Sequence, residues 1–335
     1  MNDKYTFDTI VADCRRIYGQ EDCTQQLDYL LFAANCRQFL PKLPWADYQR
    51  LYLGVQLNRR KAAWDQLQPE TALDFADREA LFERLNAYRA APGMILTFHY
   101  GSFRLLPRLL CGMGYKLALL IAKEVRAKQE VPLREQASLM DAGGDIVFID
   151  AEDPHCFRAM RRLQAEGYHI LVYLDGNTGA QLQVDPIKAI RIPFLATAIG
   201  LRKGLAACCH RWGWPVYMIC PSTVWDEPLD FAVECLGTPR DCTLEHYSRL
   251  FYSRSYALLE KSIRRRPEGW EGWLYPQSLV HLAPPMVRTA SNGPNWLIYA
   301  DEKLFLKLDL QKYAWSYINK RKWCKLNRKL KTRFI

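Results

Sequence analysis

The segment Thr97-Phe98-His99-Tyr100-Gly101-Ser102-Phe103-Arg104 sets one imidazole directly behind a short apolar run. A neutral imidazole can remove a proton from a hydroxyl or amine as that group attacks, and Gly101 lets the following backbone turn tightly towards a substrate. A second polar loop, Leu174-Asp175-Gly176-Asn177-Thr178-Gly179, offers a carboxylate and an amide at the end of a later apolar run. A third segment, Arg191-Ile192-Pro193-Phe194, leads towards Thr197, Gly200, Arg202 and Lys203. Cations beside the amides of a helix start suit a phosphate or carboxylate. Each pattern also has an ordinary structural use: a satisfied histidine at a strand end, a strand-to-loop turn, a helix with a solvated basic edge. Chemistry requires that the fold bring them to one place.

The elements that would do so are legible as a change of texture. Residues 1 to about 90 read as helical, with apolar residues three and four apart in Leu27, Leu30, Leu31 and in Leu81, Leu85, Tyr88. After Ala91-Pro92-Gly93 come short apolar runs at Met94–Phe98, Leu117–Ile121, Ile146–Ile149, Ile170–Leu174 and Val216–Cys220, which read as strands buried on both faces. Amphipathic segments lie between them, at Phe103–Cys111, Glu124–Met140 and Pro154–Glu166, with further helices expected over Leu195–Trp212 and Leu244–Arg265. Strands alternating with helices imply an α/β fold with a mainly parallel central sheet flanked by helices. Three regions follow: a helical N-terminal region (1–90), an α/β core (91–280) and a C-terminal appendage (281–335) with a hairpin over Trp296–Leu308 and a basic tail. In such sheets ligands bind outside the carboxyl ends of the strands, where His99 and Asp175 both fall.

The chain has 335 residues, 46 Lys+Arg and 36 Asp+Glu, for a formal net charge of +10. Eight basic residues and no acid lie from Lys320 onward, so the preceding 319 residues carry 38 basic against 36 acidic. The surplus belongs to the tail. Trp315, Ile318, Trp323, Leu326, Leu330 and Phe334 recur there at mostly helical spacing, as expected of an amphipathic helix docking through 312–335 on an anionic membrane or an acidic carrier protein. No nucleic-acid motif accompanies the charge, so no nucleic-acid partner is expected. No run approaches the ~18 apolar residues of a membrane span and the first residues lack the apolar core of a signal peptide, which points to a cytoplasmic protein, peripheral at most. The eleven cysteines include no Cys-x-x-Cys, and several lie inside apolar runs, so reduced buried thiols are expected, with no metal and no cofactor.

The order of these motifs resembles the lysophospholipid acyltransferase superfamily, and within it the bacterial lipid A late acyltransferases. His99-Tyr100-Gly101-Ser102-Phe103 is similar to the motif that opens that core, and Ala165-Glu166-Gly167-Tyr168-His169-Ile170-Leu171-Val172-Tyr173-Leu174-Asp175 to its step into a strand and acidic loop. Ile192-Pro193-Phe194, running on through Thr197, Gly200 and Ala206, is similar to its Pro-Phe segment. Pro267-Glu268-Gly269-Trp270-Glu271-Gly272-Trp273 is similar to its late Pro and Trp pattern. The resemblance covers roughly residues 90 to 275. It implies transfer of an acyl group from a thioester donor, coenzyme A or an acyl carrier protein, to a hydroxyl or amine, with His99 as general base.

One departure bears on that chemistry. Five positions after its histidine the family has an acid that orients the ring, and here that position is Arg104. A guanidinium cannot accept a ring N–H and opposes protonation of a nearby imidazole. Either another carboxylate, with Asp175, Glu124 and Asp150 as candidates, orients His99 while Ser102 adds a hydrogen bond, or the chain binds an acyl carrier or lipid partner without turnover. The expected catalytic residues are His99, Asp175 and Ser102. Arg104, Gly101, Phe103, Asn177, Arg191 and Arg202 are expected around the substrate.

Overall fold

A computed structural model of the chain describes residues 7–18, 27–138, 144–176, 188–238, 242–275, 294–300, 305–310 and 314–334. Four helices come first: α1 (Phe7–Tyr18), α2 (Leu27–Phe39), α3 (Tyr48–Leu67) and α4 (Arg78–Arg89). The α/β part follows with β1 (Met94–Thr97), α5 (Leu106–Gly112), β2 (Lys116–Ile121), α6 (Lys123–Ser138), β3 (Asp145–Asp150), α7 (Cys156–Ala165) and β4 (His169–Tyr173). Next come β5 (Ala189–Phe194), β6 (Thr197–Arg202), α8 (Gly204–Trp212), β7 (Val216–Pro221), β8 (Phe231–Gly237) and α9 (Leu244–Arg265). The last elements are β9 (Trp296–Ala300), β10 (Phe305–Asp309), β11 (Ala314–Tyr317) and α10 (Lys320–Phe334).

The central sheet has six strands in the order β3-β2-β4-β1-β7-β8. All its pairings are parallel except that of β8 on β7. The apolar runs are buried on both faces, as their lack of alternation requires. Met94 and Leu96 of β1 face one apolar cluster together with Ile170 and Val172 of β4 and Ala206 and Cys209 of α8. Ile95 and Leu171 face the other, with Leu106, Leu109 and Leu110 of α5. The chain therefore leaves β1 towards one face, to reach β2, and leaves β4 towards the opposite face, to reach β7. Adjacent strands whose exits diverge in this way open a crevice at their carboxyl ends. The cluster that includes α8 also takes in Tyr29, Phe32 and Tyr52 of the N-terminal helices and Leu297, Leu308 and Leu330 of the C-terminal part.

Sequence and structure differ at the second half of the sheet. The helix expected over Leu195–Trp212 starts only at Gly204; Thr197–Arg202 is β6, paired antiparallel with β5 in a separate two-stranded sheet. The turn between them is made by Leu195, which has a left-handed φ of 53°. Ile190, Ile192 and Phe194 alternate inward with exposed Arg191 and Pro193, a period of two that the preceding basic and proline residues obscured. Strand β8 was not anticipated; it is an edge strand with Glu234 in it and no continuous apolar run. The expected hairpin is present as β9 and β10, and β11 extends it to three antiparallel strands.

Helix α10 forms over the basic tail, and Asn319 caps it by accepting the Lys322 N–H at 2.8 Å. On α10 Leu330 is buried and Trp323 and Leu326 pack against the core, as does Ile318 just before the helix, with the Trp323 ring 6.0 Å from that of Phe305. Lys320, Arg321, Lys322, Lys325, Arg328 and Lys329 are exposed. Among the described residues no helix is long and apolar enough to cross a membrane.

Candidate active site

His99 lies two residues beyond the end of β1, and Asp175 two residues beyond the end of β4, the neighbouring strand. The register carries the two strands out of the sheet together: the Leu174 N–H donates to the Thr97 carbonyl at 2.9 Å. One residue further, the His99 N–H donates to both Asp175 oxygens, at 3.1 and 3.2 Å. The His99 ring Nδ1 is 2.8 Å from Asp175 Oδ1. Since Asp175 can only accept when ionised, Nδ1 carries the hydrogen and Nε2 is left with its lone pair. Nε2 has no hydrogen-bond partner among the described residues.

Asp175 is 3% exposed, and its second oxygen accepts the Trp270 indole N–H at 2.7 Å. Burial is the largest influence on this carboxyl and pushes it up. The imidazole of His99 and the donated hydrogen bonds of His99 and Trp270 outweigh it and hold the group below the usual carboxylate range. For His99 burial is again the largest influence and pulls the imidazole down, but the Asp175 charge and hydrogen bond, aided by the Glu271 charge and opposed by Arg104, leave it above the ordinary histidine value. The ring is clamped between aromatics, 4.7 Å from the Tyr173 ring and 4.8 Å from the Phe103 ring, centroid to centroid. The Tyr173 hydroxyl donates to the Phe103 carbonyl at 3.1 Å and fixes the clamp.

The segment Gly269–Glu271 runs alongside His99–Gly101. Glu271 N–H donates to the His99 carbonyl at 2.8 Å and Gly101 N–H to the Gly269 carbonyl at 2.9 Å. Gly101 holds a φ of 52°, and a Cβ there would stand 2.3 Å from the Thr223 carbonyl oxygen. A Cβ on Gly269 would strike the Tyr100 ring at 2.4 Å. Both glycines are therefore needed for the close approach that delivers the Trp270 indole to Asp175. Behind the indole, Phe39, Phe194 and Trp273 pack on Trp270 with ring centroids 4.7 to 5.9 Å away.

Of the three carboxylates expected to orient His99, only Asp175 stands on a strand next to β1. Asp150 ends β3, three strands away, roughly 14 Å at ordinary strand spacing. Glu124 opens α6 after β2, also across β4 from β1. Ser102 does not serve His99: its hydroxyl donates to Asp65 of α3, which also pairs with Lys61. Phe103 and Gly101 lie beside His99, the former against its ring and the latter in the backbone pairing with Gly269. Arg104 is a quarter exposed, with its guanidinium 5.3 Å from the Phe103 ring centroid and 3.8 Å from Glu271. Arg191 and Arg202 are exposed on β5 and β6 and make no hydrogen bond or ion pair with the His99 cluster among the described residues. Asn177 lies outside the described residues. The sequence reading missed Tyr173, Trp270 and Glu271 as site residues, although Trp270 and Glu271 stand in the late Pro and Trp pattern it had noted.

Among the described residues no cluster of His, Cys, Asp or Glu could hold a metal ion. An imidazole with a free Nε2, a buried carboxylate on Nδ1 and aromatic walls has the geometry with which general acid–base chemistry can be done. No protein-family model matches the chain, and no curated protein is significantly similar to it.

Proposed function

We propose that the protein is an acyltransferase that moves an acyl group from a thioester, coenzyme A or a carrier protein's phosphopantetheine arm, to a hydroxyl or amine. The observation that supports this reading is the His99–Asp175 pair at the diverging exits of β1 and β4. The orienting carboxylate that the resemblance leads one to expect five residues after the histidine comes instead from the neighbouring strand. His99 Nε2 takes the nucleophile's proton as oxygen or nitrogen attacks the thioester carbonyl carbon. The C–S bond then breaks, and the thiolate receives that proton from the imidazolium. Asp175 stabilises the imidazolium between the two steps. Phe103 and Tyr173 cover part of the ring, which stays 28% exposed, and so limit the water that would otherwise hydrolyse the thioester.

The setting we propose is cytoplasmic, with α10 as a docking element for an anionic surface. Because its apolar residues are packed inward, docking there runs through the exposed cations. The test is mass-spectrometric detection of transferred acyl groups after incubation with acyl-coenzyme A and acyl-carrier donors, comparing the wild type with His99→Ala. Transfer that depends on His99 is expected; equal turnover in both would remove His99 from the mechanism.

A further inference from the structure

Beside His99 lie two buried polar atoms that the protein leaves without partners. Glu271 is 5% exposed; its Oε1 accepts the Tyr275 hydroxyl, but its Oε2 has no hydrogen-bond donor among the described residues. Arg104 Nε is likewise buried without an acceptor. The two side chains do not satisfy each other: Arg104 Nη2 is 3.8 Å from Glu271 Oε1, and Arg59 of α3 approaches the same oxygen only to 3.9 Å, both beyond a hydrogen bond. An unmet buried carboxylate oxygen calls for a donor, best a cationic one, and an unmet guanidinium calls for an anion.

We infer that Arg104, Arg59 and Glu271 form a recognition site for a small zwitterion, an amine that also carries a carboxylate, presented to His99 as the acyl acceptor; the acceptor role rests on the acyl-transfer reading above. The carboxylate lies against the two guanidinium groups and the ammonium against Glu271 Oε2. Charge balance favours this class. With His99 neutral, the two arginine charges are matched by Glu271 and Asp175, so a zwitterion enters without adding net charge, whereas a bare acid, a bare amine or a phosphate ester would each unbalance a partly buried site. In the transfer, the ammonium first releases one proton to solvent, and the free amine attacks the thioester carbon. His99 takes the second nitrogen proton and returns it to the departing thiolate, giving an amide, a thiol and the one released proton.

The test uses the full chain. Binding of the proteinogenic amino acids and β-alanine is measured by calorimetry beside ethanolamine, propionate and phosphoethanolamine, and the same compounds are offered as acceptors with an acyl-coenzyme A. At least one amino acid is expected to bind, and ethanolamine, propionate and phosphoethanolamine, the last carrying a surplus negative charge, at least tenfold more weakly. Arg104→Gln and Glu271→Gln are each expected to weaken amino-acid binding tenfold or more while leaving the thioester KM unchanged. Arg59→Gln, at a half-exposed position, is expected to do the same to a smaller degree. Failure of every amino acid to bind, tighter binding of ethanolamine, propionate or phosphoethanolamine, or insensitivity to all three substitutions would overturn the site. Amino-acid binding without transfer would leave the site standing and count against acyl transfer; transfer to simple alcohols without amino-acid binding would do the reverse.

Discussion

Asp175→Asn separates the two duties of the carboxylate, holding the backbone and holding the tautomer. Three donors converge on Asp175: the His99 N–H, His99 Nδ1 and the Trp270 indole N–H. An asparagine has one acceptor oxygen and one donating nitrogen. If the oxygen stays on Nδ1, the amide nitrogen faces the indole N–H across what is now a 2.7 Å bond, donor against donor. The alternative orientation keeps the oxygen on the indole and on the His99 N–H and turns the amide nitrogen to Nδ1. That satisfies every donor, provided the imidazole moves its hydrogen to Nε2. The second arrangement should win, and Nε2 then cannot accept a proton. Exchanging three charge-assisted bonds for neutral ones costs about 1 kcal/mol each, so the loss of stability should not exceed about 3 kcal/mol. The loss of kcat from the wrong tautomer should be about 10⁴-fold, the size seen when the buried orienting aspartate of the serine-protease triad is replaced by asparagine. Ring-nitrogen NMR on 15N-histidine-labelled protein, with His99 assigned by its disappearance in His99→Ala, reads the tautomer directly and does not require turnover. A wild type with its hydrogen on Nε2, or a folded Asn variant that keeps the hydrogen on Nδ1, would refute the reasoning.

Other expectations follow from the same surroundings. Because His99 titrates above the ordinary ~6.5 and acts as a base when neutral, the acid limb of kcat/KM should lie above that pH; Arg104→Gln should move it up and Glu271→Gln down, measured by thiol release across pH. The pair's stabilisation should also be pH-bounded. The His99 part is complete below about 6.5 and lost as pH rises through its raised folded value, while the Asp175 part is complete above about 3.9 and lost as pH falls through its lowered one. Denaturant titrations should therefore show the wild type gaining most over Asp175→Asn between roughly pH 4 and 6.5. Trp270→Phe keeps the ring packing and removes one donor to a carboxylate, so unfolding free energy should fall by about 1.5–3 kcal/mol, and the Asp175 carboxyl should titrate higher in 13C NMR. Gly101→Ala combines a left-handed φ with a Cβ at 2.3 Å from a backbone oxygen, and should cost about 2–5 kcal/mol in chemical denaturation.

The parallel half of the fold is legible in the sequence because β1, β2, β3, β4 and β7 are buried on both sides and each leaves an unbroken apolar run. The elements that escape lack such a run: in β5 exposed Arg191 and Pro193 alternate with buried residues, β6 is broken by Gly200 and ends at exposed Arg202, and β8, an edge strand like β3, is broken by Glu234. At the site, the placement of His99 and Asp175 at one sheet edge follows from each lying just past a strand. Their hydrogen bond does not, because it depends on β4 lying beside β1 although the two residues are 76 positions apart. The motif order favours Asp175 over Glu124 and Asp150, but only the strand order shows that it alone stands beside β1. Trp270 and Glu271 reach the site through an irregular segment whose course is set by Gly269 and Gly101, and no local periodicity announces such a path.

Helix α10 gives the molecule an electrical orientation. The first 319 residues nearly balance in charge, while the exposed cations of α10 are held on one rigid helix that is itself packed on the β9–β11 sheet. A flexible basic tail would swing towards an anionic surface and leave the body free to tumble. A packed one transmits the torque, so in the field of an anionic surface the whole protein would turn as a dipole with α10 leading. If α10 docks as proposed, the presentation of the His99 crevice is set before contact, and salt should weaken that alignment together with binding.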